Sequence, residues 1–166
     1  MSTTVRTILG PDEGELVHLF ALGVRFMLDG GTTGGNCSLV EYRLPPHTLG
    51  APLHTHHGED EFSFVVTGRL GVQLGDDELE AGPGELVAKP RDIPHTFWNP
   101  GDEPTRVLDL ISPAGFENYF RELAPVLAAT GPGSPEVMAI AARYDFEIDF
   151  ATVPVLAEQH GLRLGD

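Results

Sequence analysis

The chain has 166 residues, enough for one domain that buries roughly 70% of the surface its unfolded chain exposes. Its 10 basic and 25 acidic residues give a formal net charge of -15 at pH 7. Such a charge repels the phosphate backbone of nucleic acids and anionic lipid headgroups, so we expect neither nucleic-acid nor membrane partners.

Cysteine content and apolar segments bear on the compartment. Cys37 is the only cysteine and cannot form an intramolecular disulfide. It begins a predicted strand after the turn-rich residues 29–36, where we expect a small buried side chain. No charged N-terminal stretch precedes an apolar signal core, and no apolar run is long enough to span a bilayer. Cytoplasmic residence is the default expectation.

The first two thirds of the chain contain short strand-like segments separated by Gly, Pro, Asn and Asp. This pattern favours an antiparallel barrel or sandwich over a helical fold. Residues 75–77 and 81–84 are predicted turns. The eight predicted strands cover residues 16–20, 24–28, 37–44, 61–67, 70–74, 85–89, 95–99 and 106–111.

From Ser112 onward the apolar residues follow a helical spacing. Ser112-Pro113 has the pattern of a helix N-cap followed by proline at the first helical position, and Ser134-Pro135 repeats it. A third short helix is predicted over residues 152–160. We expect the first helix to cover the barrel. The apolar positions are Phe116, Tyr119, Phe120, Leu123 and Leu127 in the first helix and Val137, Ile140, Ala141 and Tyr144 in the second.

Histidine and glutamate residues form the most informative pattern in the chain. His54 and His56 are one residue apart, Glu61 follows after four more residues, and Gly68 after six more. Side chains two apart on a strand point to the same face. Imidazole nitrogen and carboxylate oxygen together suit a divalent first-row transition metal.

A second block supplies another histidine, with the spacing Gly84-x5-Pro90-x-Asp92-x2-His95-x3-Asn99. Together the two blocks resemble the two sequence motifs of the cupin superfamily. The resemblance implies that one metal is bound inside a small barrel. Its ligands would be His54, His56, Glu61 and His95.

Two positions depart from the cupin pattern. Thr48 stands where a glycine usually precedes the first histidine by six residues, with Gly50 nearby. Asp92 replaces the glycine of a P-x-G turn. Because Asp tolerates left-handed turn conformations better than most residues, this change should alter the turn only locally. Neither departure removes a ligand.

The resemblance implies an all-β fold, the double-stranded β-helix or cupin jelly-roll barrel, with a short C-terminal helical extension. No internal repeat is present, so we expect a single cupin domain over residues 1–166, with a barrel core at about 15–112 and a helical tail at about 113–162. The tail, which begins Ser112-Pro-Ala-Gly-Phe-Glu, resembles bacterial single-domain cupins grouped with the flavonol-cleaving quercetinases. The sequence of residues 54–62 resembles the same group of cupins.

Other polar residues near the motif have different explanations. His57 could replace His56 as a ligand, but strand alternation points it to the opposite face. Glu59 and Asp60 make the loop acidic, whereas the spacing selects Glu61. The histidines without a partner pattern are predicted surface residues: His18, His47 and His160.

Strand alternation also predicts the wall of the substrate pocket. Among the inward positions, Phe97 is a candidate to stack on a flat substrate, although an aromatic residue on a barrel strand is more often core. The predicted substrate-binding residues are Ser63, Val65, Phe97 and Asn99. Side chains of opposite parity should pack between sheets or form a homodimer contact, and the alternative is that the helical tail covers them. They are Phe62, Phe64 and Trp98.

Four protein ligands leave one or two positions open on a five- or six-coordinate metal, as binding of a substrate or dioxygen requires. In the quercetinases that this chain resembles, the metal-ligand glutamate also takes a proton from a substrate hydroxyl, and the enolate reacts with dioxygen. The resemblance implies that Glu61 is the corresponding catalytic residue. The leading hypothesis is a metal-dependent dioxygenase that acts on a phenolic or enolic small molecule.

Two alternatives stay open. One is a redox-neutral cupin metalloenzyme, an isomerase or a cyclase, and the other is a cupin that binds a small molecule without turnover. Fold does not choose among them. The cofactor is expected to be one divalent ion of Fe, Mn, Ni, Co, Cu or Zn, and the general affinity order favours copper and zinc over iron and manganese.

Overall fold

Two antiparallel sheets and a helical tail make up the structure, a computed structural model that describes residues 8–163. Within that range the strands are β1 Leu16–Leu19, β2 Leu22–Leu28, β3 Ser38–Leu44, β4 Thr48–Leu49, β5 Leu53–His56, β6 Asp60–Thr67, β7 Leu70–Leu74, β8 Asp77–Ala81, β9 Leu86–Lys89, β10 His95–Asn99, β11 Thr105–Ser112 and β12 Phe146–Asp149. The helices are α1 Glu117–Thr130, α2 Pro135–Arg143 and α3 Thr152–His160.

The first sheet has the strand order β1-β2-β3-β11-β6-β9, and the second has the order β12-β5-β10-β7-β8, with β4 also paired to β10. Each of these pairs is antiparallel. Strands distant in sequence, such as β3 and β11, are neighbours in space. The predicted all-β class with a C-terminal helical extension is confirmed.

All eight predicted strands are present, with ends shifted by at most two residues. The prediction omitted β4, β5, β8 and β12, although the argument for His54 and His56 itself required a strand at β5. Strand β8 reads Asp-Glu-Leu-Glu-Ala and lacks apolar alternation because it is an exposed edge strand paired only with β7. Strand β12 lies between helices and extends the second sheet by pairing with β5.

The predicted start of the first helix is wrong. Ser112 is the last residue of β11, and its hydroxyl donates a hydrogen bond to the Asn36 carbonyl at 3.0 Å. Helix α1 begins at Glu117, whose carboxylate accepts the backbone N–H groups of Gly30 at 3.0 Å and Gly115 at 2.6 Å. The Glu117 carboxylate thus holds the segment before the helix through backbone hydrogen bonds, and a serine N-cap is not needed.

The remaining helix predictions are confirmed. The Ser134 hydroxyl accepts the Val137 N–H at 3.2 Å and caps α2, with Pro135 as the first helical residue. Helix α3 spans the predicted residues. The apolar face of α1 is buried against the barrel, and the ring of Phe120 meets that of Tyr42 on β3 with centroids 6.0 Å apart.

Helix α3 covers the outer face of the second sheet. Trp98 is 5% exposed and packs with Leu156 and Leu162 in a small separate cluster. The ring of His160 stacks on the Trp98 indole with centroids 4.1 Å apart, so the prediction of a surface His160 is wrong. Cys37 is half-buried and not fully buried as expected.

The outward aromatic residues do not form one surface. Phe62 and Phe64 lie on β6 in the first sheet, whereas Trp98 lies on β10 in the second and is covered by the helical tail. Of these three residues, only Phe62 and Phe64 are therefore left for a contact between copies. None of the helices in residues 8–163 is long and apolar enough to cross a membrane.

Candidate metal centre

Four buried side chains converge inside the barrel. One ligand atom from each of them lies within 4.8 Å of all the others. Strand β5 supplies two of these residues, β6 supplies one and β10 supplies one, and His95 lies directly opposite His54 in the β5–β10 pair. The four residues are His54, His56, Glu61 and His95, the set that the two sequence blocks predict.

The outer nitrogen of each imidazole is held by a protein acceptor. Nδ1 of His54 lies 2.7 Å from the Pro52 carbonyl oxygen, and Nδ1 of His95 lies 3.1 Å from the Ile93 carbonyl oxygen. Nδ1 of His56 contacts the Glu59 carboxylate. With the N–H on Nδ1 and no proton on Nε2, each ring can present the Nε2 lone pair to the centre, the usual arrangement of a metal-binding histidine. The donor set therefore fits a divalent transition metal.

Glu61 places one carboxylate oxygen among these nitrogens. Its Oε2 lies 3.1 Å from Nε2 of His95 and 3.4 Å from Nε2 of His56. Its Oε1 lies 3.5 Å from the hydroxyl of Tyr42. These oxygen and nitrogen atoms enclose a space that one ion could fill. Each atom could then lie at an ordinary coordination distance from that ion.

Burial and charge divide the protonation states of the site. Burial acts to lower the pKa of His56, but the carboxylates of Glu61 and Glu59 outweigh it and raise that pKa to about 9. Burial, with repulsion from the other two rings, holds the pKa of His54 well below its ordinary value. Burial would raise the pKa of Glu61, yet Lys89 and His56 keep it well below its usual range. Glu61 is thus a carboxylate.

Behind Glu61 lies a buried polar network that the sequence motifs do not contain. The ammonium of Lys89 lies 3.0 Å from Glu61 Oε2 and 3.1 Å from Asp109 Oδ1. The Ser63 hydroxyl donates to Asp109 Oδ1 at 2.5 Å, and the Tyr42 hydroxyl lies 3.3 Å from Asp109 Oδ2. Burial, together with the negative charge of Glu61, raises the pKa of Asp109 to about 7.

Sequence reasoning missed Tyr42, Glu59, Lys89 and Asp109. The sequence predicts for Glu59 only a place in an acidic loop, yet Glu59 is 7% exposed and orients the His56 ring. A usable signal existed for Lys89, since it is the only lysine in the chain and lies inside the second block, directly before Pro90.

Three of the four converging side chains open into an apolar cavity of about 320 Å³. His54, His56 and Glu61 form its polar end. No lysine or arginine among the described residues lines it. Its walls come from the β1–β2 turn, helix α1 and the segment around β12, and they are rich in aromatic rings. The aromatic lining residues are Phe20, Tyr42, Phe97, Phe116, Tyr119, Phe120, Phe146 and Phe150.

Among the predicted substrate-binding residues, Phe97 lines this cavity. Its ring stacks on that of Tyr42 with centroids 5.1 Å apart and an angle of 20° between the planes. A Cβ atom at Gly50 would lie 2.1 Å from Phe97 Cε2, so only glycine allows this close approach. The close packing near the first histidine therefore requires a glycine at position 50 and not at position 48.

The other predicted pocket residues have different surroundings. Ser63 binds Asp109, and Val65 is a fully buried core residue. The side-chain amide of Asn99 donates to three backbone carbonyls of neighbouring loops, at 2.8 to 3.2 Å. Ser63, Val65 and Asn99 do not line the cavity. The prediction that they contact substrate finds no support in the cavity lining.

The turn before His95 accommodates the departure from the cupin pattern. Asp92 has φ of 65°, in the left-handed region, and its N–H donates to the His56 carbonyl at 2.7 Å. Its carboxylate lies 2.6 Å from Nδ1 of His57. His57 points away from the four converging ligands and also pairs with Glu147 at 3.2 Å.

Known proteins share the fold and the central segment. Residues 40–111 match the Cupin domain family. The germin-like protein 3-7 of Oryza sativa subsp. japonica is 26% identical over 110 residues, which are 63% of this chain and 45% of that protein. The polyketide synthase CurC of Streptomyces cyaneus is 37% identical over 60 residues, 36% of this chain and 39% of that protein. The chain thus spans less than half the length of these curated relatives.

Solved structures show the same architecture at low sequence identity. KdgF from Halomonas sp. gives a TM-score of 0.60 at 16% identity, covering 69% of this chain and 99% of that protein. A predicted oxalate decarboxylase from Thermotoga maritima gives 0.58 at 17% identity, covering 63% and 97%. The nucleoside dehydratase Pac13 of Streptomyces gives 0.55 at 13% identity, covering 69% and 88%. At these identities the likeness concerns the fold. The two-sheet barrel is therefore a cupin fold in which residues 40–111 match the Cupin domain family and four residues form a group that could bind one metal.

Proposed function

We propose that this protein is a metal-dependent dioxygenase that acts on a phenolic or enolic small molecule, in the manner of the quercetinases. The observation that supports the proposal most is that the buried ligand group and the aromatic cavity adjoin each other. A buried group of three histidines and one carboxylate forms the polar end of an aromatic cavity of about 320 Å³. A substrate with one oxygen-bearing end and an apolar body fits both features.

The four converging side chains would hold one divalent transition metal. When bound, such an ion supplies Lewis acidity and open coordination positions, so that a hydroxyl brought to it becomes more acidic. Glu61 is the protein group placed to receive that proton, because it lines the cavity and is ionised. Tyr42 and Lys89 hold the two carboxylate oxygens of Glu61 from behind, which fixes the direction of the base.

The cavity walls select the body of the substrate. Phe97 presents a flat ring backed by Tyr42, and Phe116 packs edge-on against the ring of His56 with centroids 4.3 Å apart. Without a lysine or arginine in the described lining, a phosphate or second carboxylate away from the polar end would lose its hydration and gain no cationic side chain as a partner. The cavity thus favours an uncharged aromatic ring system over the sugar phosphates named for some structural relatives.

The similarity to CurC favours one group of such compounds. That relative is described as a polyketide synthase, and polyketide intermediates are rich in phenolic and enolic oxygens. An aromatic polyketide would satisfy both ends of the cavity. The same fit would serve a redox-neutral cyclase or isomerase, which needs the metal and Glu61 but consumes no dioxygen.

Oxygen uptake separates these activities. Protein purified without a metal-chelating tag should contain one transition metal per chain by elemental analysis. An oxygen electrode should then record uptake with members of a panel of flavonols, naphthols and other enolizable aromatics, and none with sugar phosphates or oxalate. His95→Ala serves as the control that lacks a ligand. Product formation without oxygen uptake would replace the dioxygenase by the redox-neutral enzyme, and binding without product would indicate a ligand-binding protein.

A further inference from the structure

The only lysine of the chain is buried beside the candidate metal centre. Lys89 is 1% exposed and ranks first by volume among the fully buried side chains. It lies on β9 directly opposite Glu61 on β6, so both side chains point into the barrel. Lysine is almost never fully buried unless it is paired, and here its partner is a ligand residue of the centre.

This placement opposes metal binding. The Lys89 ammonium lies 3.0 Å from Glu61 Oε2, the same oxygen that faces His95 and His56. A divalent ion held by that oxygen would share it with a positive charge, and in a buried site two cations near one another repel strongly. A site built only for tight metal binding would place an uncharged residue at position 89.

Asp109 prevents the ammonium from moving away. It accepts a hydrogen bond from Lys89 at 3.1 Å and is itself held by Ser63 at 2.5 Å and approached by Tyr42 at 3.3 Å. On its other side the ammonium faces the Phe97 ring, 5.4 Å from the centroid. The charge is therefore fixed between Glu61 and Asp109 and not free to turn to solvent.

We propose that Lys89 is a positioning residue that shares Glu61 with the metal. In the absence of metal the ammonium keeps the Glu61 carboxylate in place. When metal is present, the ammonium competes for the same oxygen, so the three histidines provide most of the binding and Glu61 keeps the orientation that Lys89 and Tyr42 give it. Lys89 thereby weakens metal binding, and the inference rests on the metal centre but not on the identity of the substrate.

Metal affinity tests this proposal without any activity assay. The apparent Kd for Zn²⁺ is measured by competition with a chromophoric chelator for the parent protein, Lys89→Met and Asp109→Asn. We expect Lys89→Met to bind Zn²⁺ more tightly, by about 10- to 100-fold, the range that residues behind a ligand produce. Asp109→Asn keeps the ammonium but removes its second partner, so we expect weaker binding by about tenfold.

Arg25→Met is the matched control. Arg25 is also buried, and its guanidinium pairs with Glu41 at 3.2 Å on the outer side of the first sheet, away from the centre. Its loss removes one buried cation without touching the ligands, so Zn²⁺ affinity should stay within about twofold of the parent value.

Opposite shifts in the two variants support the proposal, because a residue needed only for packing would weaken metal binding or leave it unchanged in both.

Thermal unfolding with and without Zn²⁺ gives a second measurement. Metal should raise the Tm of Lys89→Met more than that of the parent, since the ion then provides the only positive charge beside Glu61 and Asp109. A folded Lys89→Met that binds Zn²⁺ no more tightly than the parent overturns the proposal. If Lys89→Met does not fold either with or without Zn²⁺, the test depends on Asp109→Asn. An Asp109→Asn variant that binds Zn²⁺ as tightly as the parent overturns the proposal. A parent that binds no metal overturns the centre itself.

Discussion

Oε2 of Glu61 lies 3.1 Å from Nε2 of His95, although the two residues are 34 positions apart in the chain. The contact joins the first sequence block, on β5 and β6 of opposite sheets, to the second block on β10. Each block alone places side chains on one face of a strand. Only the closure of the two sheets brings the four ligand residues to one point, so the site depends on the fold more than on local sequence.

His95→Ala should release the metal while most of the barrel stays folded. The variant removes one of three imidazoles, and the remaining core of the barrel lies in the apolar side chains of both sheets. Elemental analysis should show loss of stoichiometric metal, and circular dichroism should keep the parental strand signal. His57→Ala is the control, because that ring pairs with Asp92 outside the converging group and its loss should leave metal content unchanged. Full metal content in His95→Ala would contradict the assignment of this ligand.

Glu61→Gln should separate metal content from turnover. An amide oxygen can still coordinate, so the variant should keep part of its metal, but the amide cannot accept a proton from the substrate. We expect oxygen uptake to fall by about 100-fold or more, within the range for loss of a general base. Asp60→Asn is the matched control, since Asp60 is adjacent in sequence but pairs with Arg91 at 2.9 Å. A Glu61→Gln variant with full metal and parental uptake would show that Glu61 only positions the ion.

The resemblance to the two cupin motifs predicts the ligand set, and only the first block follows in part from a local rule. Alternation along β5 places His54 and His56 on one face, and the spacing to Glu61 passes through one tight loop. The network behind the ligands follows no local rule. Lys89 meets Asp109 because β9 and β11 both border β6 in the first sheet, and strand pairing between distant segments cannot be read from composition.

Burial of charged residues is the second reason why parts of the site were not predictable. Glu59 and Lys89 are of types that are exposed in most proteins, and each is buried here because a specific partner replaces its water. The covering of Trp98 by α3 is a related case. The helix was predicted, but its docking on the second sheet depends on tertiary packing of Leu156 and Leu162.

A homodimer formed through the first sheet is the next prediction. Phe64 and Leu86 lie opposite each other on β6 and β9, and they are 40% and 60% exposed on the outer face. Two neighbouring apolar side chains left in water favour contact with a second copy. Light scattering at micromolar concentration should give twice the mass of one chain.

Variants locate that contact. Phe64→Ser combined with Leu86→Ser should give a monomer with unchanged secondary structure. Leu79→Ser is the control, because Leu79 is 48% exposed on β8 at the edge of the other sheet and should not affect the mass. A parent protein that is monomeric at micromolar concentration would exclude the dimer. A dimer that survives the double substitution would place the contact elsewhere.

The last prediction concerns acid stability and the buried carboxylate on the outer side of the first sheet. Glu41 is fully buried and accepts hydrogen bonds from Arg25 at 3.2 Å and from Arg43 and Arg106 at 2.6 Å each. Burial alone would raise the pKa of Glu41, but the three guanidinium groups outweigh it and lower the pKa from 4.5 to about 2. The folded state therefore binds the proton less readily than the unfolded state.

A lowered pKa in the folded state stabilises the protein above the unfolded pKa, and this contribution is lost as the pH falls through the folded pKa. Glu41→Gln should thus reduce the free energy of unfolding by about 3 kcal/mol at pH 7. The difference from the parent should shrink as the pH falls from 4.5 towards about 2, where the parent carboxylate is protonated as well. Urea unfolding at a series of pH values measures it. Glu80→Gln, which removes an exposed pair with Arg69, should cost no more than about 0.5 kcal/mol at any pH. If the Glu41→Gln and parent curves stay parallel from pH 6 to the acid limit, the three arginines do not hold this carboxylate ionised in the folded state.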